Sequence, residues 1–147
     1  FREELLHDFF SDDRKEAFLH GHSFTGSPLG CAAALAALEI LQDPTTVQRW
    51  RDLEAWQRRL LVDLQCDHPI TGARVLGTIA AFELPDAPSG YLANRGQIVA
   101  KLCRDAGVLV RPLGDTLYVV PPFSIREQQL TRVYDALSGA IDHLNPS

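Results

Sequence analysis

The apolar positions in "REELLHDFF" recur at helical spacing and predict a short amphipathic helix, stopped by the polar cluster Ser11, Asp12 and Asp13. Residues 16–26 predict a short extended stretch that runs into a glycine loop. Pro28 then stands where a first-turn proline is welcome, with Ser27 as N-cap, and the helix it opens continues to about Leu41. That helix is apolar almost all round. Its small residues, Cys31, Ala32, Ala33, Ala34, Ala36 and Ala37, imply close packing against another layer, and so much alanine surface is hard to bury within a short chain.

A second helix follows Asp43-Pro44, with Thr45 or Thr46 as its cap and Val47, Trp50, Leu53, Leu60, Leu61 and Leu64 at helical spacing. "ARVLGTIAAFEL" reads as one buried strand in which Gly77 allows close approach, and "PDAPSGYLANRG" as a surface loop. "GQIVAKLCRDAG" is a helix ending at Gly107. "VLVRP" and "TLYVVPP" read as two short strands joined across "LGD" as a hairpin. Ser124 and Glu127 form a capping box for a last helix through Ile141. From residue 73 onward the order strand–helix–strand–strand–helix predicts a small α/β layer. Its fold class is α/β with an α+β character: a three-stranded sheet covered by helices and preceded by a long helical segment.

Composition narrows the classes open to such a chain. Its 147 residues suit one domain with a real core. Its longest apolar run, Cys31–Leu38, falls well short of the ~20 residues of a membrane helix. The charged start "FREELLHDFF" does not read as a signal peptide. A net charge of −5 with mixed signs argues against nucleic acid. The most basic segment, "RWRDLEAWQRR", carries Asp52 and Glu54 and reads as a solvated helix face. Cys31, Cys66 and Cys103 are odd in number and lack a C-x-x-C pattern, so buried cytosolic thiols are expected rather than disulfides or a zinc site.

The chemistry concentrates in "HGHSFTG", residues 20–26. A metal pair of His20 and His22 lacks a third ligand, because His7, His68 and His143 lie in unrelated polar contexts. A hydrolase turn is suggested by "GHS" and by the chain order Ser23, Asp115, His143. Thr25 stands where that turn needs its second glycine, and only 22 residues precede Ser23. The third reading is a phosphate-holding loop. Gly21 and Gly26 free the backbone to approach an anion, Ser23 and Thr25 add hydroxyl donors, and a helix follows. By pattern alone, the hydroxyl residues before Pro28 serve equally well as helix caps.

Taken whole, "HGHSFTGSPLGCAAALAALEIL" resembles the class III aminotransferases, fold-type I enzymes that use pyridoxal 5'-phosphate. "GVLVRPLGDTLYVVPPF" is similar to the C-terminal signature of their biotin-pathway branch, the adenosylmethionine–8-amino-7-oxononanoate aminotransferases. The spacing R-P-x-G-x-x-x-Y-x-x-P-P falls on Arg111, Pro112, Gly114, Tyr118, Pro121 and Pro122. "RVLGTIAAFEL" lies between the two, where that branch has a similar glycine-containing strand. The resemblance runs from about residue 17 to the end.

It implies that His22 and Ser23 contact the cofactor phosphate of the neighbouring subunit in a homodimer. It also implies that Gly21 lies against the substrate and that Arg111 holds the substrate carboxylate. A guanidinium offers a planar two-pronged fit to that group. Tyr118 reads as a packing residue with a polar tip, and Ser27 departs from the family's usual Asn before Pro28. The implied reaction converts 8-amino-7-oxononanoate, a keto acid, to 7,8-diaminononanoate in the cytoplasm, with S-adenosylmethionine, or lysine in some relatives, as amino donor.

The family's Schiff-base lysine has no counterpart: Lys15 in "SDDRKEAF" and Lys101 both lack its context. No catalytic residue is therefore assigned, and the chain is expected to be inactive alone. Residues 1–27 are expected to be the tail of a large cofactor-binding domain, 28–65 linking helices, and 66–147 a small C-terminal α/β domain. Two other readings stand beside this one: a stand-alone α/β binding or interaction module, and another class III enzyme acting on ω-amino acids.

Overall fold

A computed structural model describes residues 3–7, 9–10, 12–16, 19–84 and 94–144. The chain forms two compact units, Phe1–Leu41 and Gln42–Ser147. The first holds helix α1 (Glu3–His7), a 3-10 turn at Arg14–Glu16 and most of helix α2 (Pro28–Gln42). The turn occupies the start of the stretch expected to be extended; residues 17 and 18 lie outside the described residues. Ser27 does stand at the N-cap of α2, where its carbonyl accepts the Cys31 N–H at 2.9 Å. No residue of α2 is buried.

The second unit begins with α3 (Pro44–Asp67), which the sequence placed correctly but capped wrongly. Asp43, not Thr45 or Thr46, is the N-cap: its Oδ1 accepts the N–H groups of Thr45 at 2.8 Å and Thr46 at 3.2 Å. The φ of Pro44 suits a first helical position, so the helix starts earlier and leaves Asp43 in an extended conformation. The Thr45 hydroxyl, then the Thr46 and Thr45 amides, lower the pKa of Asp43. Leu53, Gln57, Leu60, Leu61 and Leu64 form the buried stripe, which packs on β1 (Thr71–Leu76), β2 (Ile79–Glu83) and α5 (Glu127–Leu144).

The sheet is antiparallel in the order β1-β2-β3, with β3 spanning Thr116–Val119. Its membership corrects the sequence reading in two places. "ARVLGTIAAFEL" is not one strand but a hairpin, with Leu76 opposite Ile79 across a two-residue turn. Gly77 makes that turn at φ 55°, and a Cβ there would meet nothing within 4 Å, so backbone conformation rather than close approach selects glycine. "VLVRP" is not a strand. Its hairpin with β3 reduces to the tight Leu113–Thr116 bridge, closed by bonds of 2.8 and 3.1 Å. Pairing ends where Pro112 holds φ near −65°, far from the extended value a strand needs.

Helix α4 (Arg95–Asp105) buries Gly96, Val99, Ala100 and Cys103, and α5 buries Leu130, Tyr134, Leu137 and Ile141. With Phe82 and Leu117 these stripes form one core. Inside it, Gln57 donates to Thr78 O at 3.1 Å and Val119 O at 3.3 Å, and accepts the Tyr134 hydroxyl at 2.5 Å. This fully buried amide ties α3 to the hairpin turn, β3 and α5, and burial pushes the Tyr134 pKa up. The expected Ser124–Glu127 capping box is replaced. Gln129 reaches back to the Arg126 N–H at 2.9 Å, while Glu127 pairs with Arg59 at 2.6 Å. Of the three cysteines only Cys103 is buried; Cys31 and Cys66 are exposed. Among the described residues no helix is long and apolar enough to cross a membrane.

Candidate functional site

The first unit brings Gly21, His22 and Ser23 together in consecutive tight turns. Thr25 N–H donates to His22 O at 2.9 Å, and Ser27 N–H to Phe24 O at 3.0 Å. Gly26 takes φ 70° between them and delivers the chain to α2. Two side chains lock the loop from inside. Thr25 Oγ1 accepts the His22 N–H at 2.9 Å, and His22 Nδ1 accepts the Phe24 N–H at 3.1 Å.

With Nδ1 accepting that second bond, the neutral form of the ring carries its proton on Nε2. Ser23 contributes its hydroxyl, and the loop is exposed throughout. A Cβ on Gly21 would find only Thr25 Oγ1, 4.0 Å away, so the space above it is open. No acidic residue occurs between Glu16 and Glu39. The Nε2–H and Oγ–H donors, placed just before a 15-residue helix, suit a phosphate group. Thr25, expected as a hydroxyl donor to the anion, also accepts within the loop and keeps its hydroxyl proton to donate.

Arg111 belongs to the second unit. It is exposed at the rim of an open groove of about 860 Å³ formed by the 107–111 segment, the end of β3 and the first turns of α5. Tyr118, half-buried, lines the same groove. Gly96 is the hidden support. A Cβ there would lie 2.2 Å from Gly114 O and 2.8 Å from Pro112 Cβ, so α4 presses directly on the turn that follows Arg111. Arg49, outside the groove, steadies the segment before α5 by donating to Phe123 O at 2.8 Å and Ser124 O at 2.9 Å. Sequence reasoning missed Arg126 and Arg132, which also line the groove. The signal was the helical spacing of Gln129, Arg132 and Val133.

No group of three or more metal-ligating side chains occurs among the described residues. Asp115 has both carboxylate oxygens buried without a hydrogen-bond partner among the described residues. A different Ser–His–Asp row does form. His68 Nε2 lies 2.7 Å from Ser138 Oγ, and Nδ1 lies 3.6 Å from Asp142 Oδ1. Ser138 and Asp142 are one turn apart inside α5, whose ladder engages the N–H groups an oxyanion would need. The row ties the end of α3 to α5.

The aminotransferase class-III family profile matches residues 2–141. The adenosylmethionine-8-amino-7-oxononanoate aminotransferase of Synechococcus elongatus is 38% identical over 96% of this chain and 33% of its own length. The enzyme of that name from Aquifex aeolicus is 35% identical over 86% of the chain and 29% of its own. Among solved structures, the Methanocaldococcus jannaschii enzyme of the same name superposes with a TM-score of 0.81 at 29% identity, covering 95% of this chain and 33% of that one. A Pseudomonas jessenii omega transaminase superposes with a TM-score of 0.75 at 28% identity, covering 86% and 29%. The chain thus spans about a third of the length of the relatives it matches.

Proposed function

The chain belongs to the class-III aminotransferase family, and we propose that it forms the C-terminal third of a pyridoxal-phosphate-dependent transaminase of biotin biosynthesis. Its reaction is the conversion of 8-amino-7-oxononanoate to 7,8-diaminononanoate, with S-adenosylmethionine as amino donor. The observation that carries this reading is the 38% identity to the Synechococcus elongatus protein, which extends over 96% of the chain.

Each assigned residue has a chemical task that its setting allows. His22 Nε2–H and the Ser23 hydroxyl hold the cofactor phosphate of the neighbouring subunit in a homodimer. Bound there, pyridoxal phosphate supplies the electron sink for bond-breaking at the carbon that bears the amino group. Gly21 leaves room for the substrate because it has no side chain. Arg111 grips the substrate carboxylate through two parallel N–H bonds and so decides which end of the keto acid faces the chemistry.

Residues 1–27 complete the large domain, and 28–65 are linking helices, of which α3 also packs into the small domain's core. Residues 66–147 form the rest of the small domain and carry Arg111. The lysine that carries the cofactor lies in the other two thirds, since Lys15 sits in the 3-10 turn and Lys101 is exposed on α4. The enzyme works in the cytoplasm on small molecules, without nucleic acid or membrane. The test is to express the polypeptide with its upstream coding sequence and assay 8-amino-7-oxononanoate with S-adenosylmethionine. Arg111→Ala should lower kcat/KM about 10- to 100-fold, as expected for a lost charged hydrogen bond. The omega transaminase likeness supports a second reading. Turnover of simple amines with no turnover of the keto acid would favour it.

A further inference from the structure

The groove that Arg111 lines is lined by two more arginines. Arg126 caps α5 and Arg132 stands six residues along it, and both line the same depression. No Asp, Glu or Lys lines it, although the whole chain carries a net charge of −5. Four other arginines of this unit are occupied. Arg58 pairs with Glu54 at 2.5 Å, Arg59 with Glu127 at 2.6 Å, Arg74 with Glu83 at 3.1 Å, and Arg49 is spent on carbonyls. Arg111, Arg126 and Arg132 make no ion pair among the described residues. Glu127, the neighbour best placed to neutralise Arg126, is drawn off by Arg59. Between the cations the wall is aliphatic, with Val108, Val119, Ile125 and Val133.

We infer that this groove is a binding site for aliphatic carboxylates, in which Arg126 and Arg132 are specificity-determining residues beside Arg111. The inference rests on the reading of Arg111 as the carboxylate-holding residue and extends it. One guanidinium grips one carboxylate. Three in an acid-free groove also concentrate anions near a protein that would otherwise repel them, and reject chains that end in an ammonium. The apolar wall adds selectivity for a hydrocarbon tail over a short acid.

Octanoate titrated into the 147-residue chain at low salt, followed by amide and arginine Nε–H NMR, reads this directly. Octanoate should shift the signals of all three arginines, while octylammonium and acetate should leave them nearly unmoved. Arg126→Gln and Arg132→Gln should each weaken octanoate binding about threefold and together about tenfold, as exposed charge pairs do. High salt should erase most of that difference. Both side chains are exposed, so the variants keep the core intact. Unchanged affinity in the double variant, with Arg111→Gln still impaired, overturns the inference and leaves the Arg111 reading standing. Loss in the double variant without loss in Arg111→Gln supports Arg126 and Arg132 and sinks the Arg111 reading. No octanoate binding, or equal binding of octylammonium, overturns the inference.

Discussion

Gly96 has space for a hydrogen and nothing larger, because Gly114 O and Pro112 Cβ occupy the positions around a would-be Cβ. Both contacts are close and one is backbone, so the chain can relieve them only by moving α4 off the turn beside Arg111. Gly96→Ala should therefore cost about 1–3 kcal/mol in urea unfolding, and it should shift the NMR signals of residues 111–116. Cys103 carries a second residue-scale prediction. Burial raises its pKa to about 11 from an ordinary value near 9.0, and its thiol reaches Ala136 O at 3.6 Å. Below pH 9 the thiol is protonated in both the folded and unfolded chain, and stability is unaffected by it. Above that, the unfolded chain ionises first, so stability should fall between about pH 9 and 11. Cys103→Ala should flatten that slope. A thiol reagent at neutral pH should modify Cys31 and Cys66 in the native protein and reach Cys103 only after unfolding.

At the scale of elements, local signals and neighbours competed. The helices were legible because their apolar stripes repeat at helical spacing over many residues, as Leu53, Leu60, Leu61 and Leu64 show in α3. Turns were harder, since one glycine serves several purposes. Gly77 shows the difference, with open space around it and a left-handed φ. Gly77→Val should destabilise the β1–β2 hairpin by about 1–2 kcal/mol, lowering the melting temperature and loosening amide protection across Leu76–Ile79. A valine that left stability unchanged would show that the turn tolerates a different backbone. Caps were the other element-scale difficulty. Asp43 displaced Thr45 and Thr46 because Pro44 accepts a helical φ, and Gln129 displaced the Ser124–Glu127 pair because Arg59 claimed Glu127. In the second case the deciding partner, Arg59, lies far away in sequence.

At the scale of the whole molecule, α2 and the relatives' length point the same way. Leu29, Leu35 and Ile40 of that helix are 85%, 63% and 63% exposed, a surface that calls for a partner. The proposed large domain supplies it. The same proposal predicts that pyridoxal phosphate mixed with the 147-residue chain and trapped with borohydride leaves no lysine adduct by mass spectrometry. A stoichiometric adduct on Lys15 or Lys101 would mean that this chain has its own cofactor chemistry. The family was legible in the sequence, and the loop at residues 20–26 and Arg111 could be singled out there as candidates, because each rests on residue types at short, uninterrupted spacing. Helix positions were legible for the same reason. Only the tertiary structure decided that residues 71–83 are a hairpin, that 107–112 stay out of the sheet, and that Gly96 supports the Arg111 turn. It alone gathered Arg126 and Arg132 beside Arg111 and left them without acidic partners. These outcomes depend on which distant side chain claims a donor, an acceptor or a volume, and sequence spacing carries no record of that competition.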